Sequence, residues 1–443
     1  MSFTLSYKNI WRVSFPIILS GVAQNLVNVT DTAFLGRVGI IEIGAAGNAG
    51  IFYFVLMMLG MGFTIGCQII IGRRNGEKNY LEIGKIFSNG LFFMLGLSLI
   101  MLLILKFFSP ILLETLTASP LILDAANKYL GIRAWGIPFA YLNFLFIAFF
   151  TGITQTKVLI RATFFQAIVN VILDYLLIFG HYGFPKMGIE GAALASFISE
   201  IIAFLFFIIY TLRKVDLKKY NLLLNFDFNP KLLQKMLKVG APIMGQNFLA
   251  LSTWLCFFMI IEQIGERELA ISHIIRSIYM VLMIPLFGFS TATSTLVSNI
   301  IGEGKADEVI QLIKKVALLC LACTAILMPL NILFPSHIIS IYTDDISLIN
   351  DAIPVLYIIT GAMLLFSVAF ISFSAVTGTG KTQKTLAIEI TSICVYLSGA
   401  YVLGVYLELP LYLVWCSEFV YFAFMGGLSI AYLKYGNWKN STI

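Results

Sequence analysis

Two aspartates stand in otherwise apolar surroundings: Asp31 near the end of residues 10–36, and Asp174 within residues 158–180. A carboxylate in hydrocarbon costs at least ~2.5–3.5 kcal/mol on the mildest insertion scale, so it requires a partner, a cavity or a proton. Asn170 lies four residues before Asp174 and Gln24 seven before Asp31, so each amide shares a helix face with its acid. Asp31 sits five residues before Gly36 and Asp174 six before Gly180, which puts the two acids at nearly equal depth in helices running the same way. Like charges sharing a water-poor pocket do not both ionise cheaply, so such a pair takes up and releases a proton. Glu200, near the middle of residues 189–212, is placed to join this polar group. Pro16 removes a helix hydrogen bond upstream of Asp31 and marks where the first helix bends. A kinked rod bearing an ionisable group is what a proton-gated transport element needs.

These residues need a membrane scaffold to hold them. Of 443 residues, 59% are hydrophobic and only 12% charged, against roughly 25% charged in soluble domains. That leaves too little polar surface for a water-soluble globule. Twelve segments reach the ~20 apolar residues a spanning helix requires: 10–36, 48–72, 86–108, 129–150, 158–180, 189–212, 237–261, 272–301, 316–334, 353–376, 385–407 and 411–433. With the N-terminus in the cytoplasm, 22 of the 29 Lys and Arg residues fall on the inner side, as the positive-inside rule demands. The net charge of +6 is therefore a topology signal, and no nucleic-acid surface is expected. Both termini are predicted to be cytoplasmic, with the chain in the plasma (inner) membrane.

A shift of 226 positions aligns the chain with itself without a gap. Pro16 meets Pro242, Gly39 meets Gly265 and Glu42 meets Glu268. Gly62-Phe63 meets Gly288-Phe289, Gly76-Glu77 meets Gly302-Glu303 and Thr151-Gly152 meets Thr377-Gly378. Two six-helix repeats follow, and an even helix count makes them parallel. The expected division is a first lobe of residues 1–212, a basic cytoplasmic link of 213–238 read as an amphipathic interfacial turn, and a second lobe of 239–443. The second lobe has Phe257 and Ala400 where the first has Asp31 and Asp174, which places ion coupling in the first.

Other groups carry less. Glu389 reads as an anchor near the inner edge, and Glu418 and Arg276 enter the second lobe from outside. His181, His273 and His337 read as solvated. The six cysteines fall in apolar runs and read as packing residues. Cys320 and Cys323 have no third ligand nearby, so no metal site is expected.

Taken jointly, several features resemble the multidrug and toxic compound extrusion (MATE) family over essentially the whole chain. They are Pro16…Gln24…Asp31, Asn170…Asp174, Tyr129-Leu130…Gly136-Ile137-Pro138-Phe139, residues 191–196, and the Gly-Phe-Ser-Thr run with its Ile-Gly-Glu-Gly end at 288–304. The resemblance is nearest to the DNA-damage-inducible-protein-F-like branch. It implies an all-α, twelve-helix exporter of cationic or amphiphilic small molecules, monomeric, driven by protons or else by sodium, with no resident cofactor. It also implies Gln24, Tyr129, Asn170 and Ser196 as hydrogen-bond partners of the two aspartates. Thr151-Gly152 stands where the family usually has Arg-Gly. A lipid-linked oligosaccharide flippase of the wider superfamily would carry several cations in its spans, whereas Arg276 is nearly alone here. A membrane-embedded enzyme would need a catalytic pairing that the chain lacks.

Overall fold

Helices account for nearly all of the computed structural model, which describes residues 5–224 and 227–439. Twelve of them are long and apolar enough to span a bilayer. They are α1 (Tyr7–Val38), α2 (Ile40–Gly76), α3 (Tyr80–Phe107), α4 (Pro120–Gly152), α5 (Lys157–Phe179), α6 (Ile189–Lys214), α7 (Pro230–Ile264), α8 (Glu266–Gly302), α9 (Val309–Leu333), α10 (Ile346–Gly378), α11 (Thr382–Tyr401) and α12 (Leu411–Tyr435). Large apolar side chains such as Leu99, Leu103, Ile326 and Leu330 are exposed on their outer faces, as lipid contact requires.

Sequence punctuation sets the ends and bends. Gly180 closes α5 in the left-handed conformation at φ 75°, which costs glycine nothing. Pro120 opens α4, where its missing N–H is no loss. Pro138 offers no N–H to the carbonyl of Ala134, and α4 tightens into a 3₁₀ turn over Ala134–Gly136.

Two boundaries depart from the sequence reading. The fourth span begins at Pro120 and not at 129, because Asp124, Asn127 and Lys128 in its outer turns mask the helix from a hydropathy count. The interfacial turn expected within 213–238 is instead the short helix Leu217–Tyr220 followed by the opening turns of α7, and Met236 is fully buried. Residues 225 and 226 of that link, and the chain ends on which the terminus orientation rests, lie outside the described residues.

By packing, the chain divides inside α1 and α7. One unit is Leu19–Met244; the other takes the chain up to Ile18 together with the chain from Gly245 onward. In the first unit α2 packs on α3 and α4, α4 on α6, and α6 on α5. In the second α10 packs on α8, α9 and α12, and α12 on α11.

Glycine lets backbones meet at equivalent places in both units. A Cβ on Gly62 would lie 2.6 Å from Cα of Met244, and one on Gly288 would lie 3.0 Å from Cα of Ile18. Gly152 likewise abuts Gln68 and Ile71, as Gly378 abuts Ser294 and Val297. All of these pairs are related by the 226-residue shift, so the repeat read from the sequence is also a repeat of contacts.

The loops repeat too, with one difference. Gly304 and Gly380 have φ of 77° and 84°, while their first-repeat counterparts are Lys78 at 58° and Thr154 at 60°. A β-branched residue is strained there. Thr154→Gly is expected to stabilise the protein by about 0.5–1 kcal/mol, after glycine's extra entropy is set against the relieved strain. A thermal melt in detergent checks this, and a lowered midpoint would refute it.

Candidate functional site

Four helices of the unit Leu19–Met244 bring the polar residues together. Three of them contribute pairs four apart, and so on one face: Tyr129 and Arg133 from α4, Asn170 and Asp174 from α5, Ser196 and Glu200 from α6. Asp31 comes from α1, which supplies a single acid to the cluster.

The carboxyl groups of Asp31 and Asp174 lie in mutual hydrogen-bonding contact. Asp174 is fully buried, and no N–H or hydroxyl donor reaches either of its oxygens or Oδ1 of Asp31. A hydrogen bond between two carboxyl groups contains a proton by construction, since ionised carboxylates only accept. Beside them Asn170 Nδ2 donates to Ser196 Oγ at 3.4 Å.

The other half of the cluster is an ion pair. Arg133 Nη1 donates to Glu200 Oε1 at 2.7 Å, and the Tyr53 hydroxyl of α2 donates to the same oxygen at 3.2 Å. The guanidinium lies over the Tyr53 ring, 4.1 Å from its centroid. Asn143 Nδ2 donates to the main-chain carbonyl of Glu200 at 3.0 Å. A side chain at Gly136 would strike Glu200 and Arg133, so the 3₁₀ turn of α4 needs glycine there. The Tyr129 side chain hydrogen-bonds Arg133 and lies within electrostatic range of both aspartates, which makes it the bridge between the two halves.

Of the residues singled out from sequence, Asp31, Asp174, Asn170, Tyr129, Ser196 and Glu200 converge. Gln24 does not: it is exposed, and among the described residues no hydrogen bond joins it to either aspartate. Pro16 lies within α1, in the other unit. Arg133 is the residue that sequence reasoning misses. With the start of α4 hidden, it sits one turn from the apparent edge of the span, where a cation draws no notice; its place inside an apolar segment is the available signal.

The second unit corrects two readings. Glu389 is not an interfacial anchor but is 5% exposed, its Oε1 accepting from the Tyr421 hydroxyl at 2.8 Å. Glu418 is equally buried and accepts from Tyr396 at 2.8 Å. Aromatic hydroxyls serve these acids where a guanidinium serves Glu200. Phe257, the counterpart of Asp31, stacks on Tyr396 with ring centroids 5.3 Å apart. Cys256 and Cys394 are exposed, so not every cysteine packs. Among the described residues no three His, Cys, Asp or Glu side chains gather as metal ligands.

A family model described as MatE matches residues 16–176 and again 242–402, at the spacing of the internal repeat. The chain is 24% identical to the probable multidrug resistance protein NorM of Thermotoga maritima, over 98% of this chain and 94% of that one. It is 25% identical to the probable multidrug resistance protein YoeA of Bacillus subtilis, over 99% and 96%. Among solved structures, the outward-facing conformation of a multidrug resistance MATE family transporter of the MOP superfamily superposes with a TM-score of 0.89 at 20% identity. That match covers 97% of this chain and 95% of the other, and it shows the shared fold.

Proposed function

This chain belongs to the MatE family, and on that premise we propose that it exports small cationic or amphiphilic compounds, drugs among them, in exchange for protons. It is a multi-pass membrane transporter and not an enzyme. We place it in the inner membrane, as a monomer with both termini cytoplasmic, nearest the DNA-damage-inducible-protein-F-like branch.

The observation that carries the proton reading is the Asp31–Asp174 contact, buried and without other donors. In the exchange, protonation from outside neutralises the pair and favours one arrangement of α1, which bends near Pro16; loss of the proton to the inside restores the other. Each step draws on the differential affinity of the two arrangements for a proton. Substrate and proton then use the protein alternately. Asn170, Ser196 and Tyr129 hold the acids in register. A carrier of lipid-linked pyrophosphate would need its cations free for phosphate, whereas Arg133 is committed to Glu200.

The test is purified transporter in vesicles with ethidium as the exported dye, under a proton gradient or a sodium gradient imposed separately. Export is expected to accelerate with the proton gradient alone. Acceleration by sodium alone, or indifference to both, would overturn the proposal.

A further inference from the structure

We infer that Arg133 is a tethered internal cation that stands in for a metal ion at the Asp31/Asp174 pair and so restricts the site to protons. The inference rests on the proton-exchange reading above and extends it to ion choice.

Three observations support it. Among the described residues the guanidinium is the one cation in the cluster, with Asp31 facing it from α1, Tyr53 from α2, Tyr129 from its own helix, Asp174 from α5 and Glu200 from α6. It is held by Glu200 through one oxygen only, Oε1, while the buried Oε2 of Glu200 receives no donor. A guanidinium carries five N–H groups and keeps its charge at every working pH, so a single-oxygen partner leaves it donors to spare. Tyr129, hydrogen-bonded to it, spans the gap to the aspartates.

When the shared proton departs, the aspartates need positive charge. Arg133 supplies it from within the fold, through Tyr129 or by turning from Glu200. A sodium ion would have to shed water and collect several oxygens, and would do so against a fixed positive charge in a poorly screened interior.

The experiment measures equilibrium binding of radioactive sodium to the purified full-length transporter in alkaline buffer. The Arg133→Gln/Glu200→Gln variant removes both charges, so that no buried ion is stranded. It is expected to bind sodium at least about tenfold more tightly than wild type, a change in the range of ordinary site coupling. Arg133→Lys, which keeps the charge, is expected to match wild type. Equal binding by wild type and the double variant, or sodium binding by Arg133→Lys at the double variant's level, would overturn the inference. Should the double variant not fold, Glu200→Gln alone releases Arg133 toward the aspartates. It is expected to move the midpoint of the export–pH profile to lower pH by about half a unit or more, and an unmoved midpoint would count against the inference. A wild type driven by protons whose double variant gains no sodium sinks only this inference. A wild type indifferent to pH gradients sinks the exchange reading itself.

Discussion

Asp174→Asn is expected to reach the membrane folded and to lose proton-driven dye export by roughly 5- to 150-fold or more, the span of a typical coupling free energy. The reasoning is one of shape and charge. Asn has the outline of a protonated Asp, and Asp174 is fully buried with no donor reaching its oxygens, so the variant resembles the protonated state permanently. The fold loses little, because a neutral amide is cheaper in this pocket than an ionised acid. Asp31→Asn is expected to have the same phenotype. The two changes together are expected to be no worse than either alone, since groups that share one proton act as a unit and their effects do not add. Dye export from vesicles of single and double variants, with folding followed by size exclusion, measures all of this. Wild-type export in both single variants would leave the pair without a role in coupling.

Gly62→Leu and Gly288→Leu are expected to prevent recovery of folded protein, each on its own. A Cβ at Gly62 would lie 2.6 Å from Cα and 2.7 Å from N of Met244, and one at Gly288 would lie 3.0 Å from both Cα and N of Ile18. The obstacle in each case is backbone, which does not rotate away as a side chain does. Overpacking in a filled core costs about 1–3 kcal/mol even where side chains yield, and here two helices must separate. A Cβ at Gly96 in α3 would meet nothing within 4 Å, so Gly96→Leu is the control and is expected to be neutral. Yield and monodispersity after extraction decide the matter. Folded Gly62→Leu at wild-type yield would show that the helices are less closely held than these distances require.

Much of this was legible in the sequence, for physical reasons that differ by residue. Spanning helices are visible because hydrocarbon excludes polar side chains over some twenty residues at a time. The convergence of Asp174 with Asn170, and of Glu200 with Ser196, follows from helical spacing. Gln24 shows the limit of that argument. It shares a face with Asp31, but two turns of helix separate them along the axis, and the partner acid on α5 lies at the height of Asp31. Arg133 escapes notice because the charges of Asp124 and Lys128 lower the apparent hydropathy of the turns before it, so that a residue deep in its helix looks like one near the end. The tyrosine partners of Glu389 and Glu418 lie 32 and 22 residues away along the chain, and no local pattern links such distant positions.

The glycine contacts at Gly62 and Gly288 fix something besides residue size. An α-helix turns about 100° per residue, so one residue added or removed between Gly240 and Met244, or in the matching stretch before Ile18, would swing a side chain into each notch and carry the glycine out of register. Deletions and insertions in these helices are thus excluded more strictly than substitutions. Relatives that share only a quarter of their residues with this chain still align along almost its whole length, the outcome to be anticipated when spacing is held and lettering is free to drift.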